Sequence, residues 1–231
     1  MNGIIGMAYG IIVVTSLLSL GLTSVAASLI VHICELFASG TNGIMHYRYK
    51  NVNKKTFKKL LLPSIGGALL GSTLLFSLVK YQYLVRPAIA VYILIVGGYI
   101  IYKAYYRQRK GKKIKQIQAV GFFAAIVDAI GGGWQILVST TLIAGGRNAL
   151  YTIGAVSGVK FFVALTSSIT LFAFSGHANW QAIFWISLGN LWIGPIGPYI
   201  AKSLPRKTIM ISIGVVVICI SLYQLFFYLL K

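Results

Sequence analysis

The sequence predicts an all-α integral membrane protein, and three observations lead to this prediction. Of the 231 residues, 58% are apolar, and they fall in runs of about 20, the length of a helix that crosses a bilayer. Only 10% are charged, against roughly 25% in soluble domains. The net charge of +19 comes from basic residues clustered between the apolar runs. This pattern excludes a soluble single-core domain and a nucleic-acid-binding face, where basic residues cover one soluble surface.

The chain contains eight apolar runs that are candidate membrane segments. They are residues 3–22, 23–46, 60–80, 87–106, 117–143, 148–175, 179–201 and 209–230. Three basic connectors lie between them, at residues 47–59, 103–115 and 202–207. Because short loops rich in lysine and arginine stay in the cytoplasm, we expect all three connectors on that side of the cell (inner) membrane. Three runs lie between the second connector and the third. If all three crossed the membrane, the third connector would lie outside, so one of these runs must start and end on the same side.

The run 117–143 best meets this requirement, because Gly131, Gly132 and Gly133 interrupt it near its middle. Glycine is the residue at which a helix breaks or reverses most easily. We therefore predict a broken or re-entrant hairpin there, and we predict the same role, on the opposite side, for residues 15–21. In the alternative, every run crosses the membrane and the 202–207 loop is external.

These assignments divide the chain into two halves of opposite orientation. We predict an N-terminal membrane repeat at 1–106, a basic cytoplasmic linker at 107–116 and a C-terminal membrane repeat at 117–231. Each repeat consists of a glycine-rich hairpin followed by three transmembrane helices, and both termini lie outside. Inverted-topology repeats with broken helices are the architecture of many secondary transporters.

Four ionisable residues lie well inside the apolar runs rather than near their ends, where a charge is costly and marks a candidate functional site. They are His32, Glu35, Asp128 and Lys160, and Glu35 and Asp128 are the only carboxylates of the chain. His32 and Glu35 share one helix face, either as a proton relay or as a buried polar pair that joins helices. Asp128 fits equally well as a proton-coupling group and as a cap for the half-helix after the glycines.

Lys160 is the pseudo-symmetry mate of Glu35 when the two halves are superposed by their glycine-rich breaks. Residues 157–160 then lie opposite residues 32–35. Two interpretations stay open for Lys160. It forms an intramembrane ion pair with Glu35 across the repeat interface, or it attracts an anion directly.

The breaks also predict where a small oxyanion binds. A half-helix that begins in mid-membrane presents free backbone amides and the positive end of its dipole. The candidate substrate-binding residues are Thr15, Ser16, Gly131, Gly132, Gly133, Trp134, Gln135, Ser157 and Lys160, and those for proton coupling are His32, Glu35 and Asp128. A cation site needs more carboxylates or converging carbonyls, and the two cysteines lack paired spacing. No metal, disulfide or cofactor is therefore expected.

Several segments resemble the sulfite exporter TauE/SafE family of anion permeases. The resemblance lies in GFFAAIVDAIGGGW at residues 121–134, AASLIVHICE at 26–35, GIMHYR at 43–48, and Pro63 with the glycines that follow it. It implies a polytopic inner-membrane permease of two repeats that moves sulfite, sulfonates or related sulfur-containing organic anions, coupled to protons. The chain departs from the family at residues 157–160, where members tend to have Asn-x-Ala-Glu, and after Trp134, where they have Gly-Pro. The second carboxylate of a two-acid coupling scheme is thus missing.

The expected function is a secondary transporter that works by alternating access between its two repeats. Its expected partners are a small anionic substrate and the lipid bilayer, with no nucleic acid. Apolar outer faces such as residues 222–230 fit lipid or a second copy in a homodimer equally well. A passive anion channel is the main alternative. An intramembrane enzyme using Asp128 or His32 is disfavoured, because one carboxylate per half gives neither a catalytic dyad nor a metal triad.

Overall fold

The computed structural model describes residues 3–105, 116–189 and 206–229, and within these ranges the protein is all helical. The all-α prediction is therefore confirmed. The helices are α1 (Gly3–Ser19), α2 (Ser24–Arg48), α3 (Lys54–Ser77), α4 (Gln82–Tyr105), α5 (Ile117–Gly131), α6 (Trp134–Ala144), α7 (Ala149–Ser175), α8 (180–189) and α9 (Arg206–Leu229), with a 3₁₀ turn at Leu78–Tyr81. Most of the predicted linker (107–115), the second half of the run 179–201 and Lys202 lie outside the described residues.

Several helices have the length and composition of membrane spans. In the part of the chain that the structure describes, three helical stretches are long and apolar enough to cross a membrane: Ser24–Arg48, Lys54–Tyr102 and Leu150–Ser175. The second covers α3, the 3₁₀ turn and most of α4. Helices α3 and α4 have 24 residues each, or about 36 Å at 1.5 Å per residue, enough for one crossing apiece. The protein is thus a multi-pass membrane protein.

The predicted break after Asp128 is present. Helix α5 ends at Gly131, Gly132 and Gly133 have φ of 76° and 105°, and α6 begins at Trp134. A residue with a Cβ adopts such positive φ only at a cost, so the glycines allow the chain to reverse here.

Both ends of this α5–α6 hairpin lie beside the first turns of α3. Near the start of α5, a Cβ added to Gly121 would lie 2.9 Å from the Leu60 side chain. Just after α6, Arg147 Nη1 donates a hydrogen bond to Thr56 Oγ1 at 2.9 Å. The hairpin therefore enters and leaves at one end of the helix bundle.

The break predicted for residues 15–21 lies only at the end of that segment. Helix α1 runs without interruption to Ser19, and the chain turns at Leu20 and Gly21, where Gly21 has φ of 88°. The hydroxyls of Thr15 and Ser16 donate to the carbonyls of Ile11 and Ile12. Bonded in this way, hydroxyl side chains remain inside an apolar helix. Thr15 and Ser16 are therefore part of a continuous helix, and the re-entrant path and the extracellular N-terminus stay predictions.

Glycines allow the remaining helices to approach one another closely. Helix α3 runs parallel to α5, and α2 and α4 run antiparallel to α7 and α9 respectively. The contacts that define these pairs are Gly67 with Phe122, Gly71 with Ile126, Gly43 with Gly158, Gly154 with Asn51, and Gly97 with Val217. Small residues at helix interfaces are typical of membrane proteins. This packing places the middle turns of α2 and α7 against the end of α5, where the polar residues meet.

Candidate functional site

A buried ionic cluster lies where α2, α5 and α7 meet. Lys160 Nζ is 2.5 Å from Asp128 Oδ2 and 2.8 Å from Glu35 Oε2. The exposed fractions of Lys160, Asp128 and Glu35 are 2%, 0% and 8%. Both carboxylates of the whole chain therefore converge on one ammonium group. The structure contains the pairing of Glu35 with Lys160 that the superposed halves suggested, and it adds Asp128, which sequence reasoning did not connect to Lys160.

His32 completes the cluster from α2. Its Nε2 atom lies 3.4 Å from Asp128 Oδ2, and its Nδ1 atom lies 2.8 Å from the Ser28 carbonyl oxygen. A carbonyl oxygen only accepts hydrogen bonds, so these neighbours assign a proton to Nδ1. Nε2 then faces the carboxylate of Asp128. The predicted face shared by His32 and Glu35 exists, but Asp128 is the carboxylate that His32 contacts.

Asp128 also holds the glycine break in place. Its Oδ1 atom accepts a hydrogen bond from the Trp134 backbone N–H at 2.8 Å, and its backbone carbonyl accepts one from the Gly132 N–H at 2.8 Å. The cap predicted for α6 is therefore present. One carboxylate joins the ammonium of α7 to the N-terminus of α6, where negative charge is stabilised.

Helix α1 closes one side of the cluster. A Cβ added to Gly10 would collide with Glu35 Oε1, and one added to Gly132 would lie 3.0 Å from the Gly10 backbone carbon. The carboxylate of Glu35 thus lies directly against the backbone of α1. No pattern in the sequence identifies Gly10 as a site residue, because its role depends on tertiary packing.

Replacing Gly10 by Ala is expected to push the Glu35 carboxylate away from Lys160. We expect the free energy of unfolding to fall by about 1–3 kcal/mol, as for other overpacked sites. Gly98→Ala in α4 is the control, since nothing lies within 4 Å of the added Cβ there. Equal stability of the two variants in denaturant unfolding would show that the fit of Glu35 against α1 is unimportant.

The cluster has an uneven balance of charge. With both carboxylates ionised, Lys160 supplies one positive charge against two negative ones. A proton on His32 or on a carboxylate brings the group to neutrality, which is the favourable state for buried charges. The cluster is therefore one positive charge short of neutrality when both carboxylates are ionised.

Three groups of the cluster are also of metal-ligand type. Ligand atoms of His32, Glu35 and Asp128 lie within 4.8 Å of one another. The ammonium of Lys160 contacts both carboxylates, so a metal ion would have to displace a cation that is already bound. The geometry fits a tethered ammonium better than a metal centre.

A model of the sulfite exporter TauE/SafE family matches residues 1–224. The chain belongs to this family. It is 26% identical over 231 residues to "Probable membrane transporter protein YtnM" of Bacillus subtilis (strain 168), covering 95% of this chain and 76% of that protein. No solved structure matches. The TauE/SafE family and this relative support a membrane transporter and do not point to an enzyme.

The other predicted substrate-binding residues of this TauE/SafE protein have mixed placements. Gln135 Nε2 donates to Ser157 Oγ at 3.2 Å and links α6 to α7. Trp134 is fully buried and donates its ring N–H to the Gly121 carbonyl at 3.1 Å. With its backbone N–H bonded to Asp128, Trp134 has both donors occupied and anchors the hairpin.

Thr15 and Ser16, which the sequence predicts as binding residues, do not reach the glycine break. Tyr92, which the sequence does not indicate, does reach it. Thr15 and Ser16 lie about one turn beyond the part of α1 that contacts Gly132, and their backbone N–H groups belong to an unbroken helix. Tyr92 of α4 donates its hydroxyl hydrogen to the Gly132 carbonyl at 3.1 Å. A tyrosine in an apolar run gives no sequence signal for this contact.

Proposed function

We propose that the protein is a secondary transporter of small anions such as sulfite, sulfonates or related sulfur-containing organic anions. The proposal depends on one observation. The buried ammonium of Lys160 is shared by the carboxylates of Glu35 and Asp128, beside the hairpin that the glycines break. A buried ammonium of this kind attracts an anion, and membership of the TauE/SafE family supports transport as its use.

Proton coupling follows from competition for Lys160. While Glu35 is ionised, its carboxylate occupies the ammonium at 2.8 Å. Protonation of Glu35 removes that negative charge and leaves Lys160 free to pair with an incoming anion. Binding one proton together with one anion keeps the buried charge constant, whereas binding the anion alone adds an uncompensated charge. His32 provides a second proton position through its contact with Asp128.

We further propose that residues 1–106 and 117–231 are inverted repeats that alternate access to this site. Equivalent helices of inverted repeats run in opposite directions through the membrane. The antiparallel pairs α2–α7 and α4–α9 fit this relationship. Because α1 is continuous to Ser19, unlike the broken α5–α6 segment, the proposed equivalence concerns the three helices that follow it.

The proposed sidedness follows from the basic connectors. Arg86 near the start of α4 donates to the Gly21 and Leu22 carbonyls before α2, so α2 and α4 begin at one end of the bundle and finish at the other. Lys207 of α9 lies over the Tyr105 ring at 4.0 Å. The connectors 47–59, 103–115 and 202–207 therefore fit a common cytoplasmic end, in agreement with the positive-inside rule.

The decisive variant is Glu35→Gln. Without this carboxylate, Asp128 and Lys160 still balance each other, so we expect a folded protein. Sulfite or sulfonate flux into proteoliposomes should lose its response to an imposed pH gradient, while exchange of substrate for substrate continues. An unchanged response would contradict the proton role of Glu35.

A matched control and a kinetic test separate the alternatives. His177→Gln changes an exposed histidine outside the cluster and should leave coupling intact. Saturable flux with counterflow supports a carrier, whereas flux that rises linearly with concentration supports a passive anion channel.

A further inference from the structure

A polar cavity lies at one end of the helix bundle, away from the ionic cluster. Its volume is about 260 Å³, and it opens between the α2–α3 connector and the α6–α7 turn. Its walls are formed by Asn53, Thr56, Gly146, Arg147, Asn148, Tyr151 and Thr152. A water molecule occupies about 30 Å³, so the cavity has room for a small oxyanion together with several waters. Thr152 lies eight residues before Lys160, or about 12 Å along α7.

The guanidinium of Arg147 is the charged group of this cavity. Its Nη1 atom donates to Thr56 Oγ1 at 2.9 Å, and its Nε atom is buried without a hydrogen-bond partner among the described residues. No carboxylate in the chain is free to pair with it, because Glu35 and Asp128 are the only two and both bind Lys160. An anion from outside the chain is therefore a suitable partner for Arg147.

Two helix N-termini reinforce the positive potential of Arg147. Asn53 caps α3 through a hydrogen bond from the Thr56 N–H at 2.9 Å, and Asn148 caps α7 through one from the Leu150 N–H at 3.0 Å. Both caps line the cavity, which thus receives the positive ends of two helix dipoles. A fork of guanidinium donors with amide and hydroxyl groups around it is the donor set that binds phosphate-like oxyanions.

We propose that this cavity binds a tetrahedral oxyanion through Arg147, separately from the transport cluster. The shared chemistry is a phosphate group, supplied either by an anionic lipid headgroup or by a free phosphate ion. The neighbouring lysines Lys54 and Lys55 are exposed and add to the attraction without forming the cavity.

The test uses purified full-length protein in detergent and measures the thermal unfolding midpoint. Inorganic phosphate, added at constant ionic strength, should raise the midpoint with saturation, because a ligand that binds only the folded state stabilises it. Arg147→Gln should raise the half-saturating concentration at least tenfold. The half-saturating concentration of Arg147→Lys should lie between those of the wild-type protein and Arg147→Gln, since lysine keeps the charge but loses the planar fork. Short-chain phosphatidic acid, compared with phosphatidylcholine, gives the lipid arm.

The control is Arg48→Gln, which removes an exposed arginine from the same end of the bundle but outside the cavity. It should leave the phosphate response unchanged. A response to both phosphate and phosphatidic acid that depends on Arg147 supports a site for free oxyanions, and a response to phosphatidic acid alone supports a lipid site. Equal responses in Arg147→Gln and Arg48→Gln, or no response in the wild-type protein, would overturn the proposal.

Discussion

Replacing Lys160 by Met is expected to destabilise the protein by about 3–5 kcal/mol, the usual effect of removing one partner from a buried ionic group. The variant leaves Glu35 and Asp128 facing each other without their shared cation. Unfolding in detergent, followed by intrinsic tryptophan fluorescence, measures the loss. Lys58→Met is the matched control, because Lys58 is exposed on α3 and its removal should change stability by no more than about 0.5 kcal/mol.

A second substitution tests the charge balance directly. In the double variant Lys160→Met with Glu35→Gln, only Asp128 remains ionisable as an acid, and it keeps its contact with His32. We expect the double variant to regain at least about 1 kcal/mol relative to Lys160→Met, a coupling typical of residues in one network. If Lys160→Met is as stable as Lys58→Met, the cluster is not held together by charge.

Replacing Gly132 by Ala is expected to remove about 2–6 kcal/mol of stability and to abolish transport. The backbone conformation, with φ of 76° and ψ of 174°, is one that essentially only glycine adopts, and it accounts for about 1–3 kcal/mol of this. Overpacking adds about 1–3 kcal/mol, because the new Cβ would lie 3.0 Å from the Gly10 backbone carbon. Denaturant unfolding and proteoliposome flux give the two readouts.

Gly176→Ala is a reference for a positive φ without close packing. Gly176 lies in the left-handed region, with φ of 68° and ψ of −8°, and nothing lies within 4 Å of its added Cβ. It should therefore show only the conformational effect, with normal flux. If Gly132→Ala and Gly176→Ala are equally destabilised, the packing of the break against α1 contributes nothing.

Local properties of the sequence were sufficient to predict much of the fold. Apolar runs of membrane-spanning length indicate the helices, and three consecutive glycines indicate the break, because a backbone with positive φ selects glycine whatever surrounds it. The cap from Asp128 to the Trp134 N–H was also predictable from local sequence, because the two residues are only six positions apart.

Other features depend on packing that sequence spacing does not reveal. Asp128 reaches Lys160 and His32 only because α5 ends between α2 and α7, so these pairings have no counterpart in residue spacing. Thr15 and Ser16 indicated a break because polar residues are unusual in an apolar run. Their hydroxyls instead bond to carbonyls of their own helix, a possibility that composition does not distinguish. Gly10 and Tyr92 contact the site only through tertiary structure.

The position of Lys160 also affects the kinetics of any large movement. Its ammonium, carried by α7, touches carboxylates on α2 and α5, so helices from both halves of the sequence meet in one group of charges. Displacement of α2 relative to α5 and α7 must separate at least one oppositely charged pair or carry a compensating ion with it. Conformational exchange in this protein is therefore expected to be slow when the cluster is fully ionised and unoccupied, and faster after an anion and a proton have entered together.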